Sequence, residues 1–327
     1  MAGVNWTIQA SAADYEWVSV TYGKGLFVAV AAVAPGGGND KVMTSPDGIT
    51  WTKRASASTN EWRSVTYGNG IFVAVSSNGT NNRVMTSSDG INWTSQTSAA
   101  NNNWRGVTYG NGLFVAVSST GTKNRVMTSP NGINWTSQTS PNNNDWRAVT
   151  YGNGLFVAVS IDGSNRVMTS SDGITWTEHS TPVGNEWRAV TYGNGLFVAV
   201  AVTGSGDRVM TSPDGTTWTT RTSAANNVWF GVTYGNGLFV AVAASGDNND
   251  RVMTSPDGKI WTIRTSAANN GWRSVIFANH LFVAVAETGS GNRVMTSGQY
   301  IGVLYSTKIL MKDGSFTEIK NIILMKK

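Results

Sequence analysis

Residues 62–95 read WRSVTYGNGIFVAVSSNGTNNRVMTSSDGINWTS, and the order of residue types in this stretch decides the fold. Trp62 to Tyr67 is rich in aromatic and β-branched residues, Gly68-Asn69-Gly70 follows, and Ile71-Phe-Val-Ala-Val75 is apolar on both faces. Asn-Gly between two such runs predicts a tight hairpin whose central residues both take positive φ. A polar loop, Ser76 to Asn82, leads to a third strand, Arg83-Val-Met-Thr-Ser87. Ser88-Asp89-Gly90 then turns the chain into a fourth, Ile91-Asn-Trp-Thr-Ser95. Four short strands in about 42 residues describe one propeller blade, with strands A to D counted outwards from the ring axis.

The same unit recurs along the chain. Its fourteen tryptophans form seven pairs, each spaced by eleven residues, from Trp6/Trp17 and Trp51/Trp62 to Trp261/Trp272, and successive pairs lie 41 to 45 residues apart. The expected fold is therefore all-β: a seven-bladed β-propeller of four-stranded antiparallel blades over residues 1–297. The seventh copy stops after Arg293-Val-Met-Thr-Ser297, whereas the chain begins with Gly3-Val-Asn-Trp-Thr7, an outer strand with no blade before it. The two ends are expected to share the last blade in a three-plus-one closure, which removes the exposed edges of an open sheet. Residues 298–327 break the repeat and read as a C-terminal β-hairpin-like extension or tether, with a turn at Asp313-Gly314.

Composition excludes several classes of function. Only 13% of residues are charged, and the net charge of +5 includes +3 from residues 298–327, so the repeats lack an electrostatic nucleic-acid footprint. There is no cysteine. The longest apolar run, 25–34, falls well short of the roughly 18–20 residues of a membrane-spanning helix. No signal peptide is visible at the start, so an extracellular or virion-associated location would require a non-classical route.

The third turn adds a resemblance. Ser45-Pro-Asp47-Gly48-Ile-Thr-Trp51 and its relatives at Asp89, Asp172, Asp214 and Asp257 resemble the Asp-box (BNR) repeat of sialidase-type and lectin propellers, with one residue fewer between Asp and Gly; Asn131 replaces the Asp in one copy. The terminal segment, with Lys308-Ile-Leu-Met-Lys312 repeated as Ile322-Ile-Leu-Met-Lys326, is similar to short hairpin modules at the ends of phage and bacterial surface proteins.

Catalysis needs one asymmetric constellation, whereas near-identical copies supply each group seven times. His179 and His280, the two histidines, fall in different blades. The arginines at the start of each third strand (Arg83, Arg125, Arg166, Arg208, Arg251, Arg293, with Lys41 in the first copy) are spread round the ring and do not converge as sialidase arginines would. Gly246-Asp-Asn-Asn-Asp250 is oxygen-rich but lacks the spacing of a dedicated calcium loop. These observations predict no enzyme, no cofactor and no metal.

Binding is the remaining expectation. The A–B and C–D hairpins share one face and barely vary; the B–C loops and D–A linkers share the other and do vary, as at 32–40, 118–124 and 161–165. On that variable face stand Trp17, Trp62, Trp104, Trp146, Trp187, Trp229 and Trp272, an arginine usually following, with Asn82-Arg83, Asn124-Arg125 and Asn165-Arg166 nearby. Two assignments fit: apolar plates and hydrogen-bonding groups for a sugar, or wedges between blades. The expected function is a multivalent, lectin-like adhesion module for a glycan or surface receptor on a virion tail or bacterial surface. The alternative is a scaffold for a protein partner, held through residues 298–327, and a glycoside hydrolase is a remote third.

Overall fold

A computed structural model describes residues 2–247 and 249–299, and beyond them the backbone of four short strands. The described ring consists of seven four-stranded antiparallel sheets, each ordered A-B-C-D. In the second blade the strands are Trp62–Gly68, Ile71–Ser76, Val84–Ser87 and Thr94–Gln96. No helix occurs among the described residues. In the seventh blade the outer strand is Thr7–Gln9, paired as Thr7↔Thr296, Ile8↔Met295 and Gln9↔Val294, which is the three-plus-one closure. Each A strand packs beside the A strand of the next blade, and the seventh packs beside the first.

The hairpin chemistry follows from backbone geometry. Asn69 and Gly70 have φ of 46° and 80°, the double positive pair that a two-residue turn between twisted strands requires. Asn and Gly tolerate that region because short or absent side chains avoid the Cβ–carbonyl clash.

Cohesion between blades comes from alternation along strand B. In Phe72-Val-Ala-Val75, Phe72 and Ala74 face the preceding blade, and Val73 and Val75 face the following one. Between blades one and two, Val28, Val30 and Val42 meet Trp62, Phe72, Ala74 and Met85 in one buried cluster. The same cluster forms at each junction, including the seam, where Val283, Val285 and Val294 pack on Trp17, Phe27 and Met43. All seven A-strand tryptophans are completely buried. Five indole N–H groups donate to the carbonyl four residues earlier, as Trp104 does to Ala100 at 3.1 Å, while those of Trp146 and Trp187 have no acceptor.

The C–D turns are held by their carboxylates. Asp172 Oδ1 accepts from the N–H groups of Ile174 and Thr175, both at 2.8 Å, and Ser170 Oγ donates to it. Those backbone donors hold the Asp172 carboxyl down at about 2, below the ordinary 3.8. Asn131 accepts from the same two positions at 3.0 Å, which explains how one copy dispenses with the charge.

Beyond the ring, Thr307–Leu310 pairs antiparallel with Phe316–Ile319, and Val303–Leu304 with Ile322–Ile323. The expected Asp313-Gly314 turn lies outside the described residues.

Two outcomes are expected. Trp104→Ala should lower unfolding free energy by about 3–5 kcal/mol, because the neighbouring valines cannot collapse onto the cavity; urea denaturation measures it. Asp172 has a depressed folded pKa, so its stabilisation is present above 3.8 and is lost as pH falls toward about 2. Asp172→Asn should keep the fold and show a shallower loss of melting temperature over that interval than the parent.

Candidate functional site

In every blade the A–B register skips one residue just after the tryptophan: Trp62 pairs with Ser76 and Ser64 with Val75, so Arg63 is an extra residue in a β-bulge. A bulge re-aims the side chain it inserts. Seven bulges on the innermost strands aim seven side chains at the axis: Val18, Arg63, Arg105, Arg147, Arg188, Phe230 and Arg273. They surround a cavity of roughly 150 Å³ at the mouth of the central channel, on the face that carries the B–C loops. The next residues inward are Ser, Gly or Ala, small enough for the A strands to approach: a Cβ on Gly106 would stand 3.0 Å from the Arg147 carbonyl oxygen. Where serine occurs it ties neighbouring blades, Ser19 Oγ accepting from Val65 N at 3.1 Å and Ser64 Oγ from Val107 N at 3.2 Å.

The mouth is electrostatically unequal around its rim. Arg63 pairs with Glu61, Arg147 with Asp145 and Arg273 with Glu287. Arg105 and Arg188 make no ion pair among the described residues; Asn103 takes the acid's place two residues before Arg105, and Glu186, two residues before Arg188, does not reach it. Arg105 donates from Nε to Ser119 Oγ at 3.1 Å. Arg188 and Arg273 both lie over the Phe230 ring, at 4.6 and 3.7 Å from its centroid. Burial, reinforced by Arg147 and Arg63, brings Arg105 down to about 10. Burial, reinforced by Arg147, Arg273 and Arg105, brings Arg188 down to about 9. Burial also raises the Asp145 carboxyl against the pull of Arg147 and Arg105. Burial works against the Glu61 carboxylate too, yet the Ser77 hydroxyl and Arg63 keep it below its ordinary value.

The residues expected to bind sugar do other work. Trp17, Trp62, Trp104, Trp146, Trp187, Trp229 and Trp272 have zero exposure, so no ring face is available as a plate; they are the blade wedges. The strand-C arginines clasp backbone. Arg125 donates to the carbonyls of Gly121, Ser119 and Asn144, and Arg83, Arg166, Arg208, Arg251 and Arg293 bind loop carbonyls of their own blades in the same way. Lys41 substitutes for them in the first blade through Ala32, Thr59 and Asn60. Asn82, Asn124 and Asn165 receive the amide N–H of the buried Asn60, Asn102 and Asn144 on their carbonyl oxygens, at 2.9, 2.8 and 2.6 Å. That buried asparagine series escaped the sequence reading. His179 Nε2 lies 2.8 Å from Thr169 Oγ1, a bond that Gln96 and Gln138 make to Thr86 and Thr128 in their own blades, and His280 occupies a positive-φ turn position.

The sequence matches the DUF6242 beta propeller domain over residues 45–185 and, overlapping, 95–230. The chain belongs to this family. No curated protein matches the sequence. Among solved structures, the ring is similar to a catalytically inactive virginiamycin B lyase from Staphylococcus aureus with quinupristin: TM-score 0.76, 12% identity, 90% of this chain and 99% of that one. It is also similar to YCF48 from Cyanidioschyzon merolae (TM-score 0.67, 14% identity, 90% and 98% coverage) and to YCF48 bound to D1 peptide (0.67, 16%, 90% and 96%). At such identities the likeness is one of fold. The match is to this propeller family, and the Asp-box resemblance remains one of turn sequence.

The expectation that the chain is no enzyme is corrected here. A ring of similar fold is that of a lyase in another protein, so the propeller fold does not exclude catalysis. Repeated groups are not always dispersed: those on the innermost strands converge on the axis, as the bulge arginines do.

Arg188 is a half-buried cation without a carboxylate in contact, an arrangement that costs stability. Arg188→Val, which copies Val18 of the first blade, should raise unfolding free energy by about 1–2 kcal/mol at neutral pH. Chemical denaturation decides it; a loss would show that the Phe230 stack outweighs burial.

Proposed function

We propose that this DUF6242-family propeller is a protein-interaction ring that receives an acidic peptide segment of its partner at the arginine-lined mouth of the central channel. The observation that carries this is the convergence of five bulge arginines on one axial cavity, two of them without a carboxylate partner. Guanidinium groups present forked donors that match carboxylates, and a mouth open to solvent is screened by salt. The mouth opens on the face of the variable loops, the natural place for contacts that differ among related rings. The structure of YCF48 with D1 peptide offers a precedent for peptide binding by this architecture. A glycan partner loses its support with the burial of all seven tryptophans.

Fluorescence anisotropy with labelled ten-residue peptides, acidic, neutral and basic, tests the proposal. Only acidic peptides should bind, weakening as salt rises. Arg105→Val with Arg188→Val should reduce affinity about 100-fold, roughly tenfold for each guanidinium–carboxylate hydrogen bond removed. Equal binding of all three peptides, or binding indifferent to the double substitution, would overturn it.

A further inference from the structure

The rim of the mouth is divided. Blades three and five contribute the two guanidiniums without carboxylate partners, Arg105 and Arg188, while blades six and one contribute Phe230 and Val18. Phe230 is the residue that breaks the Trp-Arg repeat on the side next to Arg188, and its ring is covered by Arg188 and Arg273. The cavity of roughly 150 Å³ is near the size that holds one benzene-like group, and far below that of a drug-sized ligand site. Buried polar atoms at the rim also remain without a hydrogen-bond partner: the Nε donors of Arg147 and Arg273, and one acceptor, Asp145 Oδ1.

We infer that the mouth is a seat for a single carboxylate borne close to an apolar group, the carboxylate lying between Arg105 and Arg188 and the apolar group against the edge of the Phe230 ring, which the two guanidiniums over its faces leave open. The proposal rests on the protein-binding reading for its biological source, yet its chemistry can be tested without a peptide. An anion there meets two guanidiniums that no described carboxylate contacts directly, although the Asp145 charge acts on both, so it gains charge-assisted hydrogen bonds without displacing an existing ion pair. The Phe230 side selects against inorganic anions, which have no apolar part to bury. The carboxylate could come from the last residue of a partner chain, from an Asp or Glu side chain beside an apolar residue, or from a free small acid.

Isothermal titration calorimetry of the full chain at low salt with acetate, 3-phenylpropionate and inorganic phosphate tests the seat. Phenylpropionate should bind at least tenfold more tightly than acetate, and phosphate no better than acetate. Phe230→Val, which again copies Val18, should remove the phenylpropionate advantage, bringing phenylpropionate to the affinity that the same variant has for acetate. Arg105→Val with Arg188→Val should abolish binding of both acids. Melting curves of each variant establish that the ring is intact.

Phosphate binding as tightly as phenylpropionate, or phenylpropionate affinity unchanged by either substitution, would overturn the seat. Two arms identify the source: peptides ending in Phe with free or amidated C-termini, and amidated peptides with an internal Phe-Glu. Preference for the free terminus supports a chain end, and equal binding of the internal Phe-Glu peptide supports an acidic side chain. Binding of the small acid with no binding of any peptide would uphold the seat and overturn the protein-binding reading.

Discussion

Everything in this ring depends on one packing contact, the insertion of a tryptophan, a phenylalanine and a methionine from each blade into the valine face of the blade before it. A single four-stranded blade cannot bury both its faces, and the first and last blades of an open stack would expose one each. Closure solves this only if the seventh junction is chemically the same as the other six. It is: the valines of blade seven meet Trp17, Phe27 and Met43 as the valines of blade one meet Trp62, Phe72 and Met85. The borrowed outer strand, Thr7–Gln9, adds a hydrogen-bonded reason for the ring to stay shut, since opening it would also unpair that strand from Val294–Thr296.

The functional geometry lies beside the same contact. The residue after each buried indole is left out of the A–B ladder, and the register slips by one there. The slip is a bulge, and the bulge aims its residue at the axis. Seven such bulges give seven inward-pointing positions next to the packing contact. Five hold arginine, one valine and one phenylalanine. The buried asparagines and the strand-C arginines serve the rim in another way, tying the B–C loops to the linkers and giving the mouth a rigid surround.

Charge at this mouth is held at a cost. Arg188 is half-buried among other guanidiniums with an aromatic ring in place of a carboxylate. Valine stands at the equivalent position of the first blade, so the ring does not require a guanidinium there, which points to a role other than cohesion. The comparison with virginiamycin B lyase shows that such a ring can carry catalysis in another protein, and the comparison with YCF48 that it can carry a peptide.

The sequence by itself determined the blade and the count of blades, because strand periodicity, Asn-Gly turns and the eleven-residue tryptophan spacing are local signals repeated seven times. It also determined the closure, since the missing fourth strand and the orphan first strand are visible as text. Whether Trp62 was exposed or buried was beyond it: an indole beside Arg and Glu looks the same as a sugar plate or as a wedge until the neighbouring blade is in place. Arg63 and Arg83 are twenty residues apart and equally regular in sequence. Only the tertiary structure decides that Arg83 clasps a loop while Arg63 faces the axis with its six counterparts. The signal that could have found the mouth was the irregularity at one position, Val18 and Phe230 among five arginines. Its meaning depends on ring symmetry, which brings residues some 40 apart in the chain to one point in space.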